Sequence, residues 1–102
     1  NYNHTKSGYV YVISHPAWKG WVKIGMAIDA EDRLKSYQTS SPYRDYQLLH
    51  SVYVTDRRAI ERKAHRKIGK IADERQNEWF KVDAVEAIDC ITAILKKQNS
   101  PA

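Results

Sequence analysis

The chain is short of the residues that staple or anchor a protein. Its 102 residues include one cysteine, one methionine, one phenylalanine, three prolines and four glycines. A lone Cys90 excludes an internal disulfide and favours a cytoplasmic setting. His4, His15, His50 and His65 show no paired spacing with each other or with Cys90, which argues against a structural zinc site. No apolar run approaches the ~20 residues needed to cross a bilayer, and no charged-then-apolar leader is present, so no membrane segment is expected within this chain. The sequence opens on Asn1 rather than Met, which suggests a trimmed or excised piece with any targeting segment outside it.

Acidic residues are also the scarcer charge, 12 against 17 lysines and arginines, giving a net charge of +5 and a pI near 9.4. Hydrophobic residues at 42% and charged residues at 28% are ordinary for one soluble globular domain with a single modest core. A basic balance favours polyanions, of which nucleic acid is the commonest, although a solvated basic surface is the bland alternative. Here the bases are clustered. Arg57, Arg58, Arg62, Lys63, Arg66, Lys67 and Lys70 crowd one segment whose only acid is Glu61.

The stretch from Gly8 to Gly25 predicts two short strands around a turn at His15–Gly20. Alternation places Val10, Val12, Val22 and Ile24 on one face, and Tyr11 with Lys23 on the other. Trp18, on the turn, is either exposed or folded over the sheet. Asp29 is a helix cap with Glu31 and Asp32 in the first turn, where the helix dipole favours negative charge. Leu34 and Tyr37 share one side of that helix, which ends at Ser40-Ser41-Pro42. Gln47–Val54 is a third strand with apolar residues on both faces, hence expected to be covered on both. Asp56 caps a second helix with a stripe of Ile60, Ala64, Ile68 and Ile71. Ala72–Asn77 reads as a polar connection, and residues 78–82 as a brief extended piece. Asp83 and Glu86 suggest a capping box for a third helix with Val85, Ile88, Ile91 and Leu95 inward. The expected architecture is α+β in the order β-β-α-β-α-α, a three-stranded, mainly antiparallel sheet flanked by three helices. Residues 1–7 read as a flexible leader, 8–97 as the domain and 98–102 as a tail.

Two strands carrying Tyr9-Val10-Tyr11 and then Lys23-Ile24-Gly25, followed by Arg33 on a helix, Glu61 and His65 on another, and Asn77-Glu78-Trp79-Phe80, resemble the GIY-YIG nuclease superfamily in its phage and mobile-element branch. The resemblance runs from Gly8 to about Leu95. It implies a DNA endonuclease using a single Mg²⁺ or Mn²⁺ ion, in the cytoplasm of a bacterial or phage-infected cell, with further DNA recognition supplied by a module outside this chain. Residue by residue, Tyr11 takes the place of the first catalytic tyrosine and Arg33 that of the helix arginine. Tyr37 falls where some members have histidine or tyrosine, and Glu78 matches the metal-binding glutamate. Tyr9 stands in place of the usual glycine. Lys23 stands where most members have a second tyrosine, as in some restriction enzymes.

Hydrolysis of a phosphodiester needs an activated water, charge stabilisation on phosphoryl oxygens and help for the leaving oxygen. A free phenol titrates near pH ~10 and is a poor base at neutrality. Lys23 is therefore expected to lower the pKa of Tyr11, Arg33 to clamp phosphate through its donor fork, and Glu78 to hold the metal. Tyr37 is divided between core packing and a hydrogen bond to phosphate or water. His65 is divided between proton transfer and pairing with Glu61. His50 reads as structural. Arg57, Arg58, Arg62, Lys63, Arg66 and Lys67 are expected to track a DNA backbone. The alternative is a nucleic-acid-binding domain with a degenerate site, suggested by Lys23 and Tyr9.

Overall fold

The structure is a computed structural model that describes residues 6–99. Five strands and three helices follow in the order β1 (Gly8–Ser14), β2 (Trp21–Ala27), α1 (Ala30–Gln38), β3 (Gln47–Val54), α2 (Arg57–Ile71), β4 (Glu74–Gln76), β5 (Trp79–Lys81) and α3 (Ala84–Asn99). The α+β class stands, but the three-stranded sheet does not. The sheet has five antiparallel strands ordered β3-β1-β2-β5-β4. The missing pair is the hairpin β4–β5. Glu74, Arg75 and Gln76 are all exposed and carry no apolar alternation, so nothing in their pattern marks a strand. Asn77 makes the turn with φ 56°, a left-handed conformation that asparagine tolerates.

The β1–β2 register places Tyr11 opposite Gly25, Val12 opposite Ile24 and Ile13 opposite Lys23. Alternation therefore sorts the two faces as the sequence suggests. Val10, Val12, Val22, Ile24 and Phe80 meet Ile60, Ala64 and Ile68 of α2, and Ala87, Ile91 and Ile94 of α3. On the other face Tyr11, Ile13 and Ala27 meet Ala30, with Leu34, Tyr37, Tyr46 and Leu48 around them. Helices thus cover both faces, α1 on the tyrosine side and α2 with α3 on the other. Asp29 caps α1 as expected, its Oδ1 accepting from the amides of Glu31 (3.0 Å) and Asp32 (3.2 Å). Asp56 caps α2 by accepting from the Ala59 amide at 3.2 Å.

Further expectations are corrected. β3 is a sheet edge, so Leu49, Ser51 and Tyr53 remain exposed rather than covered. A bulge between Val12 and Ile13 shifts its register, sending Leu48 to the α1 side while Val52 and Val54 serve the other core. Ile71 and Val85 are exposed, and the buried stripe of α3 runs through Ala87, Ile91 and Ile94. Of the expected leader, residues 1–5 lie outside the described residues. Lys6 and Ser7 are tied down, their carbonyls accepting from Arg57 N (2.8 Å) and Arg57 Nη1 (3.0 Å). Helix α3 continues through Asn99, so the expected tail begins inside a helix, and residues 100–102 lie outside the described residues. No described helix is long and apolar enough to cross a membrane.

Candidate active site

β5 pairs only with Trp21–Lys23 of β2, and the Ile24 amide donates to the Glu78 carbonyl at 3.1 Å. Past that point no described strand pairs with this edge of β2, and the Ile24 carbonyl is taken by a side chain, accepting from His65 Nε2 at 2.8 Å. Side chains from both faces of the sheet meet at this open edge. His65 is therefore fixed by the backbone, its Nε2 proton donated, with its ring 5.4 Å from that of Phe80. Neither a bond to Glu61 nor a role at the reacting atoms is needed to account for it.

Tyr11 is buried, 2% exposed, and its ring lies across the backbone of Gly25. A Cβ on Gly25 would overlap the Tyr11 hydroxyl and stand 2.5 Å from Cζ and 2.9 Å from Cε1. The glycine of the second triplet is needed for the close approach of this phenol. Gly25→Ala is expected to cost about 1–3 kcal/mol by overpacking, and to displace the Tyr11 ring. An unfolding free energy from urea titration within ~0.3 kcal/mol of wild type would show that the ring is free to move away.

The Tyr11 hydroxyl shares a 3.2 Å hydrogen bond with Tyr37, in which either oxygen can donate. Lys23 places its ammonium 4.7 Å from the centre of the Tyr37 ring and 3.2 Å from Glu78 Oε2. Tyr11, Tyr37, Lys23 and Glu78 thus form a continuous chain of contacts drawn from β1, α1, β2 and the β4–β5 turn. Tyr37 packs in the second core, one of its two expected roles, and its hydroxyl bonds the first tyrosine, a contact the sequence did not suggest.

The electrostatics overturn one expectation. Lys23 does not lower the Tyr11 pKa. Burial pushes the phenol well above its ordinary value, and the hydrogen bond and charge of Tyr37 add to this. Arg33 pulls in the opposite direction, and the Glu78 carboxylate raises it further. Lys23 is itself opposed by burial, but Tyr37 and Glu78 outweigh this and hold its pKa above the usual lysine value. In the free protein Tyr11 is a neutral phenol, and the Lys23 ammonium belongs to Glu78.

This raised pKa has a consequence for stability. Because the folded pKa lies above the unfolded one, the folded state retains a proton that the unfolded chain loses above pH ~10. Stability from this group is intact below that pH, then falls by about 1.4 kcal/mol per pH unit as the solution becomes more alkaline. Urea titrations between pH 9 and 11 should show this slope, and Tyr11→Phe should remove it. An unchanged slope in the variant would mean that Tyr11 ionises freely.

Arg33 is exposed on α1 and lines a groove with Ser36, Met26 and Arg58. Of the basic segment, Arg57 is buried and bound to the Lys6–Ser7 backbone, so it does not lie on the expected exposed face. The others divide around α2. Arg58, Arg62 and Arg66, four residues apart, line a cleft of about 680 Å³ with Glu61, His65 and Arg75. Lys63 and Lys67 turn towards Lys97 of α3. His50 is half-buried opposite Val12, on the face away from Tyr11.

Glu61 is the site residue that sequence reasoning undervalued. Burial raises its carboxyl pKa, against the pull of His65, and the nearby Glu78 charge raises it further, while Lys23 and Arg58 lower it. Two carboxylates therefore sense each other beside one ammonium. The available signal was a single acid in a helix of bases, one turn before His65. Among the described residues no three of His, Cys, Asp and Glu come together as a metal cage. A hard divalent ion nevertheless needs only one or two carboxylates, with waters and substrate oxygens completing its shell, and Glu78 with Glu61 fits that donor set.

A model of a known domain family, described as the T5orf172 domain, matches residues 8–95. No match was found among curated proteins or among solved structures.

Proposed function

Because the chain belongs to the T5orf172 domain family, found in phage and mobile-element proteins and related to nuclease-like folds, we propose that it is a GIY-YIG-type endonuclease hydrolysing DNA phosphodiester bonds. The observation that carries this reading is the contact chain Tyr11–Tyr37–Lys23–Glu78 at the open edge of β2, beside an arginine-lined cleft.

In this reading Arg58, Arg62 and Arg66 hold the DNA backbone, and Arg33 grips the phosphate to be cut from the α1 side. The neutral Tyr11 hydroxyl binds the attacking water. As the water oxygen closes on phosphorus, its proton passes to Tyr11, Tyr11 hands its own to Tyr37 across their shared bond, and Tyr37 gives its own to the leaving oxygen as the P–O bond breaks. This relay requires no free phenolate, so it accommodates the raised pKa of Tyr11. Lys23 lies beside the same phosphate and neutralises charge that builds on its oxygens. Glu78 and Glu61 would hold Mg²⁺ or Mn²⁺, which when bound supplies Lewis-acid stabilisation of the phosphoryl group. His65 positions this edge by holding the Ile24 carbonyl.

The Lys23–Glu78 ion pair favours one second reading, a DNA-binding domain that does not cut, since an ammonium already occupies the proposed metal ligand. Supercoiled plasmid separates the two. The nuclease reading expects relaxed or linear product in Mg²⁺ or Mn²⁺ and none in chelator. A gel shift at low salt with intact plasmid in both metals would establish the binding reading instead.

A further inference from the structure

The chain has three tryptophans, and all three gather beyond the end of the contact chain. Trp79 lies across from Lys23, and Trp21 lies two residues before Lys23, so both share its sheet face. Trp18 reaches over from the β1–β2 turn, its ring 5.3 Å from Trp79 at 65°. With Gln76 they line an open pocket of about 350 Å³. None of this was resolved by the sequence, which left Trp18 either exposed or folded back.

Trp18 is 47% exposed, yet it is not loose. Its amide donates to the His15 carbonyl (3.0 Å), and its carbonyl accepts from the Trp21 amide (3.1 Å). His15 is anchored in turn: its Nδ1 accepts from the Ala17 amide (3.0 Å), and its Nε2 meets Asp45 Oδ1 (2.8 Å). The His15 and Trp18 rings are 4.7 Å apart. A large apolar ring held rigid and half in water binds a flat partner with little ordering cost.

We propose that this pocket stacks an unpaired DNA base next to the phosphate being cut, so that the preferred substrate contains single-stranded DNA. The proposal rests on the nuclease reading for its placement beside a scissile phosphate. Three features select a nucleotide over an apolar peptide. The pocket walls are aromatic faces, which any base can stack upon. Its border carries cations, Lys19 beside Trp18 and Lys81 opposite Trp21, while Lys23 opposite Trp79 is paired with Glu78. The Gln76 amide supplies both a donor and an acceptor to a base edge. Two residues along a strand span ~6.7 Å, so the platform begins about one side chain from Lys23. A base within a duplex hides its faces against its neighbours and reaches such a pocket only by leaving the stack.

Because every tryptophan lies in this pocket, intrinsic tryptophan fluorescence reports on it alone. The test titrates the protein, in chelator and low salt, with oligo(dT) of about ten nucleotides and with a blunt hairpin of similar phosphate count whose loop is a non-nucleotide linker. Oligo(dT) should quench strongly and the hairpin weakly. Trp18→Ala should weaken oligo(dT) binding roughly tenfold, by anisotropy of a labelled strand, and change hairpin binding less than about twofold. Trp18→Tyr, which retains a ring, should recover most of the loss, and circular dichroism checks that each variant is folded. Equal quenching by both DNAs, or equal weakening of both by Trp18→Ala, would overturn the proposal. Tighter quenching by oligo(U) would overturn its assignment to DNA. Plasmid cutting without oligo(dT) quenching removes the pocket and leaves the nuclease, whereas quenching without cutting removes the nuclease and leaves the pocket.

Discussion

Glu78→Ala is expected to lower the single-turnover rate of DNA cleavage by roughly a hundredfold or more, the scale on which a preorganised charge acts in a transition state. Low-salt affinity for DNA should change little, because the proposed function assigns it to Arg58, Arg62 and Arg66 on another element. The variant also frees Lys23 from its 3.2 Å partner, so binding is expected to rise slightly if it moves at all. Glu61→Gln should share the direction with a smaller loss, since Glu78 is the carboxylate in direct contact with Lys23. Rates and affinities measured on the same labelled duplex decide the matter. A Glu78→Ala enzyme that cuts within about threefold of wild type would remove Glu78 from the site.

Phe80→Ala should have the largest effect on stability, about 3–5 kcal/mol. Phe80 is fully buried, pairs in register with Val22, and lies in the core with Ile60, Ala64 and Ile68. The Arg75 guanidinium sits 4.8 Å above its ring, and His65 is 5.4 Å away. It is the one fully buried residue of the β4–β5 hairpin, so its truncation leaves a cavity and also loosens the turn that carries Glu78. Against a typical domain stability of ~5–15 kcal/mol this is a large fraction, and a fall in Tm of more than about 12 °C is expected. Chemical denaturation gives the value directly. A loss below ~1 kcal/mol would mean that the hairpin is not anchored through this ring.

The parts of the fold legible in the sequence were those with a strong period or an obvious cap. The β1–β2 hairpin, its two faces, and the starts of α1 and α2 at Asp29 and Asp56 all follow from alternation and capping chemistry. β4 was not legible because an exposed edge strand of Glu74, Arg75 and Gln76 has no buried face to impose a pattern. Its partner β5 was seen only as a brief extended piece. Leu49 and Tyr53 made β3 look covered on both sides, but its place at the sheet edge is fixed by pairing, which no local pattern reveals.

The site was legible as membership more than as wiring. Tyr11, Lys23, Tyr37 and Glu78 do come together, and Arg33 is close enough to act on the Tyr11 phenol. The sequence offered Tyr11 and Lys23 as a phenol with its activating cation, because same-face alternation fixes the side of a sheet but not which neighbour a long side chain chooses. Lys23 sits diagonally to Tyr11, opposite Ile13, and reaches outward to Glu78. Gly25 occupies the place opposite Tyr11 and gives the ring its room. Arg57 shows the same limit, since its position in a basic run gave no sign that it is buried against the Lys6–Ser7 backbone.

In the proposed reaction the Tyr11–Tyr37 pair carries the water's proton while DNA is cut. The most direct measurement is the single-turnover nicking rate of supercoiled plasmid in Mg²⁺ by wild type and by Tyr11→Phe, at protein concentrations that saturate binding for both. The predicted result is nicking by wild type and a loss of at least about a hundredfold in the variant, with unchanged DNA affinity. Equal nicking by the two proteins would contradict it.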